Sequence, residues 1–526
     1  MRTLRAPLLL GWFLGGFALM GAGCLDALGE FYLPLTDPKL GAGGTGGSGG
    51  MGGAPPECAG NPSEANVTDA CGVFVQADAA GATEDGTQAH PYKTLQGAID
   101  NAGGKRVYAC SSAPYAEAVT VAAPIELFGG FECAKGWAWK AEGRSVLKGP
   151  AGAVALTLTK AADGARVQGF AIAAASATKK GQSSVAVAVE DIAAALIRCE
   201  VTAGDGMAGE DGVMPVGLAT KGMDAPPPEA MTMNACVNPA SLVGGTPGTL
   251  TCDDGVTAGG QGGKGGITGM MSGDGIPGAD GTLADATKGK GGVGEDSMME
   301  CADGTKGSSG VAGIAGDTGI LPGTLSLAGI ADTNLMDGKA GSRGNGGGGG
   351  GGAKAGLFCV AGADGNGASG GGGGAGGCGG KGGGSGKAGG SSLAIVSLGA
   401  KLTLTEVTLT TGKGGDGGKG AAGQTGGASG LGSIGGAAGV GGGKPGCQGG
   451  NGGLGGNGGP GGGGRGGHSI GIAYASGPSK AATVKGFTGD TMGLGGASVP
   501  SNPMGTGAKG AAGACWDFSK NAGCAQ

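Results

Sequence analysis

The chain has 526 residues, of which 138 are glycine, 4% are aromatic and 14% are charged. Glycine buries almost no side chain and loses the most backbone entropy on folding, so a conventional core over most of this length is excluded. Thirty-four basic against 40 acidic residues give a net charge of −6, which argues against a nucleic-acid partner, because such binding needs a basic stripe to displace counterions.

Residues 1–23 read as a signal peptide. Arg2 and Arg5 form a charged start, and Leu8 to Met20 form an apolar run too short to span a bilayer comfortably. Gly21-Ala22-Gly23 then precede Cys24. This arrangement resembles a bacterial lipoprotein signal. The resemblance implies cleavage before Cys24 and acylation of its thiol, each buried methylene adding about 0.8 kcal/mol to membrane attachment. The same residues also admit plain secretion with Cys24 kept as a disulfide partner. Residues 24–57 carry a Gly/Ser-rich stretch ending in Pro55-Pro56, the composition of a flexible tether. No later apolar run is long enough for a transmembrane helix. The expected address is the outer membrane or cell surface, with the membrane engaged through a lipid anchor.

Fourteen cysteines in an exported chain point to disulfides. If Cys24 is acylated, 13 remain, and one is unpaired, ligated or bonded to another chain. Neighbours in sequence suggest Cys58–Cys71, Cys110–Cys133, Cys236–Cys252, Cys359–Cys378 and Cys515–Cys524, although spacing alone does not fix connectivity. No C-x-x-C occurs and there are two histidines, His90 and His468. Neither a metal nor a cofactor is expected.

Pro91 to Ala102 carries a helical pattern, with Leu95, Ala98, Ile99 and Ala102 on one face. Short strands follow at Arg106–Ala109, Ala118–Val121 and Ile125–Phe128, separated by Gly, Ser and Pro. The run Asp85-Gly86-Thr87, Pro91, Thr94-Leu95, Ala98-Ile99, then Tyr115, Glu117 and Gly129-Gly130, resembles the opening of bacterial pectin-lyase-like right-handed β-helices. The resemblance covers roughly residues 75–200. It implies an all-β, right-handed parallel β-helix with a short N-terminal capping helix. It does not select an activity, because that fold carries lyases, hydrolases and adhesins.

Ser183–Thr202 and Ser391–Thr410 align without a gap, and a weaker third copy starts at His468. Each copy reads as one coil, with glycine-rich inserts leaving after the first two. The expected order is a signal peptide over 1–23, the anchor cysteine and linker over 24–57, cap and first coils over 58–203, and an insert over 204–390. A coil over 391–411, a second insert over 412–467, and a last coil with a cysteine-bearing cap over 468–526 follow.

From Gly446 to Gly467 glycine falls on every third residue. Collagen needs a strict triplet with abundant proline, and proline is sparse here. Two readings stay open: a disordered loop, or a polyglycine-II-like bundle whose glycine faces let backbones approach. The second resembles the glycine-rich tips of some phage adhesins and the proposed form of mycobacterial glycine-rich repeat proteins.

A polysaccharide lyase needs carboxylates for calcium and a basic residue to abstract a proton. Asp163, Arg166, Glu190, Asp191, Arg198 and Glu200 are available; Arg198 and Glu200, two apart on a strand, would share a face. A solvated outer edge of a coil is the favoured reading of these charges, since isolated surface charges of this kind are common. The expected function is an exported, lipid-anchored cell-surface protein with a structural, adhesive or glycan-binding role, polysaccharide or another surface component as partner, and no evident catalytic site. The alternative is a carbohydrate-active β-helix enzyme, either lyase or hydrolase.

Overall fold

The computed structural model describes residues 56–331, 335–360, 365–399, 401–478 and 480–524. The signal peptide, Cys24 and nearly all of the linker lie outside them.

Strands gather in three mostly parallel sheets. The first runs Gly72–Val75, Arg106–Cys110, Glu126–Glu132, Arg166–Gln168, Ala194–Ile197, Leu402–Thr405, with Ala138–Trp139 pairing off it. The second runs from Val119–Val121 through Leu156–Leu158, Ser184–Val189, Ser392–Ser397 and Ser469–Tyr474 to Ala512–Asp517 and Ala522–Gly523. The third holds Ser145–Gly149, Phe170–Ala174, Glu200–Thr202, Thr408–Thr410 and Gly486–Thr488. Two small antiparallel hairpins stand apart. The single right-handed β-helix expected from the sequence is therefore corrected: the strands form several distinct sheets, and much of the chain forms no strand at all. The physical reason is that a strand ladder needs side chains to cover its faces. The glycine-rich segments have none and take another arrangement.

Inward-facing Val, Leu and Ile from all three sheets make the main core, from Val75 and Val107 through Leu196 to Leu404 and Ile472. The helix Leu95–Asp100 lies on this core through Leu95, Ala98 and Ile99, with Thr94 Oγ accepting the Gly97 amide as its N-cap. In the second sheet, Ser184–Val189, Ser392–Ser397 and Ser469–Tyr474 are buried on both faces, which explains their continuous apolar runs. The outer face is covered by the hairpin Thr324–Ser326/Gly329–Ala331, whose Leu325 packs among Val185, Leu393, Val396 and Ile470.

The glycine-rich residues form a backbone lattice. Gly347 and Gly350 donate to Gly374 and Gly371; Gly348 and Gly351 to Thr305 and Ala302; Gly349 and Gly352 to Ala279 and Ile276. Their carbonyls accept, in the same order of pairs, from Gly260 and Gly263, from Gly450 and Cys447, and from Gly292 and Glu295. These bonds measure 2.7–3.0 Å. Successive residues thus address three donor and three acceptor neighbours, and the stretch 347–352 is ringed by six other segments. Every polar group along it is paired, as a buried backbone requires.

Glycine is a steric necessity at the centre of this array. A Cβ on Gly348 would lie 1.9 Å from Lys290 O, on Gly349 2.0 Å from Gln261 O, and on Gly350 2.1 Å from Cys447 O. The centre of the array has neighbours on every side, hence the unbroken glycine run 346–352. The stretch 304–319 touches neighbours on fewer sides and keeps glycine at every third position. Its other residues point outward.

The lattice is continuous with the strands. The stretch 365–390 leads into Ser392–Ser397, and 446–467 leads into Ser469–Tyr474. Gly389 donates to Arg465 O, one register step from the Ser392↔Ser469 pairing. At this junction a row of side chains takes one leftover amide each. Ser183 Oγ accepts from Ser391 N, Ser391 Oγ from His468 N, and His468 Nδ1 from Ala511 N, all at 2.9 Å.

Six disulfides are present among the described residues. Cys58–Cys71, Cys110–Cys133 and Cys515–Cys524 close short loops. The other two suggested pairs are corrected: Cys236 bonds Cys359, and Cys252 bonds Cys378, across 123 and 126 residues. Cys301 bonds Cys447, 146 residues away. Segments that return through the lattice lie side by side although remote in sequence, so nearest-neighbour pairing fails there. In the chain-entropy account, a closed loop of this order is worth about 4–5 kcal/mol.

Replacing Gly349 by alanine should therefore lower stability by about 1–3 kcal/mol, the cost of forcing a methyl into a filled interior. Leu454→Ala, at an exposed triplet position, should stay within about 0.5 kcal/mol. Thermal melts followed by circular dichroism separate the two.

Candidate functional site

The described residues concentrate charge and aromatic rings on the outer face of the first sheet. Strand register stacks Arg106, Glu126 and Arg166 in one row, and Tyr108, Phe128 and Gln168 in the next. Glu126 Oε2 lies 2.8 Å from Arg106 Nη2, and Oε1 lies 3.6 Å from Arg166 Nη1. The two guanidinium groups stand 5.1 and 5.4 Å from the Phe128 ring centroid. Phe128 belongs to a buried aromatic cluster with Phe74, Tyr108, Phe131 and Trp137. The Arg106 side chain is 5% exposed and that of Arg166 26%. Arg166 Nη2 also donates to Asn61 Oδ1 at 2.9 Å and to Gln168 Oε1 at 2.5 Å.

Arg198 extends this face, its guanidinium 5.0 Å from the half-buried Trp139 ring. Trp139 is fixed by an indole bond to Gly129 O at 3.0 Å. Arg144 donates to Ala141 O and Gly143 O and acts electrostatically on Cys199, the residue after Arg198. Burial lowers the Arg166 pKa first; Glu126 opposes this, and the charges of Arg106 and Arg198 add to it.

The pair proposed for lyase chemistry is not assembled. Arg198 adopts φ 49° at the corner between Ala194–Ile197 and Glu200–Thr202, and so sits between the first and third sheets. Glu200 is exposed on the third. A residue in the left-handed region breaks the two-residue alternation, and the expectation that the two share a face is corrected. Other acids serve the backbone: Glu190 Oε2 accepts from Lys160 N at 2.5 Å, and Asp163 Oδ1 from Ala193 N at 2.8 Å. Cys199 is a free buried thiol whose pKa burial pushes up to about 11. Cysteine spacing alone does not reveal that Cys199 is the free one among the described residues.

On the glycine-rich body, side-chain carboxylates cap outward amides of the neighbouring segment. Asp205, Asp211 and Asp224 accept from Lys413, Lys419 and Leu431 at 2.7–2.8 Å. The Leu431 amide bond holds the Asp224 carboxyl below its ordinary range. A cleft of about 290 Å³ lies there between Val216, Leu218, Asp254, Lys381 and Gln424. Large apolar residues stand out from this surface, with Val311 75%, Ile314 73% and Leu454 48% exposed. Gly310 donates to Leu454 O, which sets these three on adjacent segments.

Among the described residues, no group of three or more His, Cys, Asp or Glu is placed to hold a metal ion, and no helix is long and apolar enough to cross a membrane. No family model, no curated protein and no solved structure matches this chain.

His468 occupies in the third copy the place serine holds in the first two, and is buried against Arg465. Burial and the Arg465 charge lower its pKa to about 3. The unfolded chain thus binds a proton near pH 6.5 that the folded chain refuses until about pH 3. Its stabilising effect is complete above pH 6.5 and is lost as pH falls, by about 1.4 kcal/mol per pH unit within that window. Melting temperature should decline from pH 6.5 to 5, above the carboxylate range. His468→Ser, which keeps an acceptor for Ala511 N, should flatten that decline.

Proposed function

We propose that this is an exported surface protein, held by acyl chains on Cys24, that works as a rigid display and adhesion body. The observation that carries the reading is the outward placement of apolar side chains. Backbone fills the lattice interior, so Val311, Ile314, Leu431, Ile434 and Leu454 have no core to enter and face solvent. Val311, Ile314 and Leu454 stand together on adjacent segments, and a cluster of exposed large apolar side chains favours contact with another surface. The natural contact is a surface component of another cell or a polysaccharide coat. Twelve cysteines held in disulfides agree with an oxidising compartment.

The test is adhesion by cells displaying the full chain, compared with cells displaying the combined variant Val311→Ser, Ile314→Ser, Leu454→Ser. Antibody labelling of intact cells should be equal, since none of the three supports the lattice. Retention on a neighbouring-cell or polysaccharide layer should fall several-fold. Unchanged retention, or no labelling of intact cells with either version, contradicts the reading.

A further inference from the structure

The outer face of the first sheet carries more positive charge than its surroundings neutralise. Arg106, Arg144, Arg166 and Arg198 gather there. Glu126 is the one carboxylate within ion-pair distance of any of them among the described residues. The nearby Glu132 is engaged by Lys135 and Lys140.

Five guanidinium nitrogens in this group are buried without a hydrogen-bond acceptor among the described residues: Arg106 Nε and Nη1, and the Nε of Arg144, Arg166 and Arg198. A buried donor left unmade costs about 1–3 kcal/mol, and more when charged. Such groups call for a water, an ion or a ligand. Four guanidinium groups against one carboxylate suit a strongly charged anion better than a second carboxylate. A phosphate monoester carries about −1.5 to −2 at pH 7 and offers three acceptor oxygens. The planar fork of arginine matches those oxygens in pairs. Trp139, half-buried beside Arg198, offers a ring surface to whatever body carries the phosphate.

We propose that this face binds a phosphomonoester, with Arg166 and Arg198 meeting its oxygens and Arg106 adding charge from beneath. The site lies on the strand-built part of the chain and does not depend on what the glycine-rich body displays. The same group can arrive on a soluble saccharide or on a lipid headgroup.

The full chain is titrated with glucose 6-phosphate by calorimetry, and separately tested for co-flotation with phosphatidylcholine vesicles containing phosphatidic acid. At least one probe should bind saturably. Arg166→Gln and Arg198→Gln should each weaken that binding about tenfold, whereas Arg343→Gln, remote on the glycine-rich body beside Asp254, should leave it unchanged. Binding of the sugar phosphate alone assigns a soluble saccharide; binding of vesicles alone assigns a lipid. Should Arg166→Gln lower the melting temperature, Arg198→Gln decides, because Arg198 holds no ion pair among the described residues. Binding of neither probe overturns the proposal. So does binding indifferent to both arginines, or equal flotation with phosphatidylglycerol, a phosphodiester.

Discussion

The fold rests on backbone hydrogen bonds made between segments that have no side chains to keep them apart. In an ordinary domain, side chains fill the interior and the backbone pairs within helices and sheets. Here the backbone itself fills the interior of the glycine-rich body, and each residue of 347–352 spends both polar groups on different neighbours. What holds this interior together is the pairing of its buried amides and carbonyls with neighbouring segments, since an unpaired buried backbone group is costly, rather than the packing of apolar side chains. The opposing term is the entropy of ordering glycine, the largest for any residue. Three disulfides reaching across more than a hundred residues each act on the same balance, because they remove freedom from the unfolded chain.

That constraint organises the remainder. A lattice needs a starting register, and the second sheet supplies one: Ser184, Ser392 and Ser469 pair in line, and the glycine segments that enter them keep that alignment. The hydroxyl and imidazole row at the junction absorbs the amides left over where one hydrogen-bonding pattern becomes the other. Serine in two copies and histidine in the third make the same kind of bond, so the histidine must stay neutral. Side chains excluded from the lattice interior are pushed outward, and there aspartates cap amides while valines, isoleucines and leucines face solvent.

The sequence disclosed what depends on local pattern. The gapless match of Ser183–Thr202 with Ser391–Thr410 corresponds to direct strand pairing, Ser184 on Ser392 and Leu196 on Leu404. The 3.6-residue period around Leu95 corresponds to a helix. What depends on remote neighbours was hidden. Glycine triplets look alike whether disordered or packed, since order comes from segments dozens of residues away. Cys252 seeks Cys378 because two returning segments pass there, a fact no spacing contains. The arginine face was invisible for the same reason: Arg106 and Arg166 are sixty residues apart and meet only through the register of the strands between. Arg198 misled because two-residue alternation assumes a straight strand, and the chain turns a corner at that residue.

Amide hydrogen exchange across 344–353, read by mass spectrometry on the oxidised full chain, tests the central claim most directly. Amides locked between six neighbouring segments should exchange only through large-scale opening, as slowly as those of Ser184–Val189 in the second sheet. Exchange of 347–352 at the rate of a free peptide, while Ser184–Val189 stays protected, would contradict the lattice and leave the glycine-rich segments as loops on the three sheets.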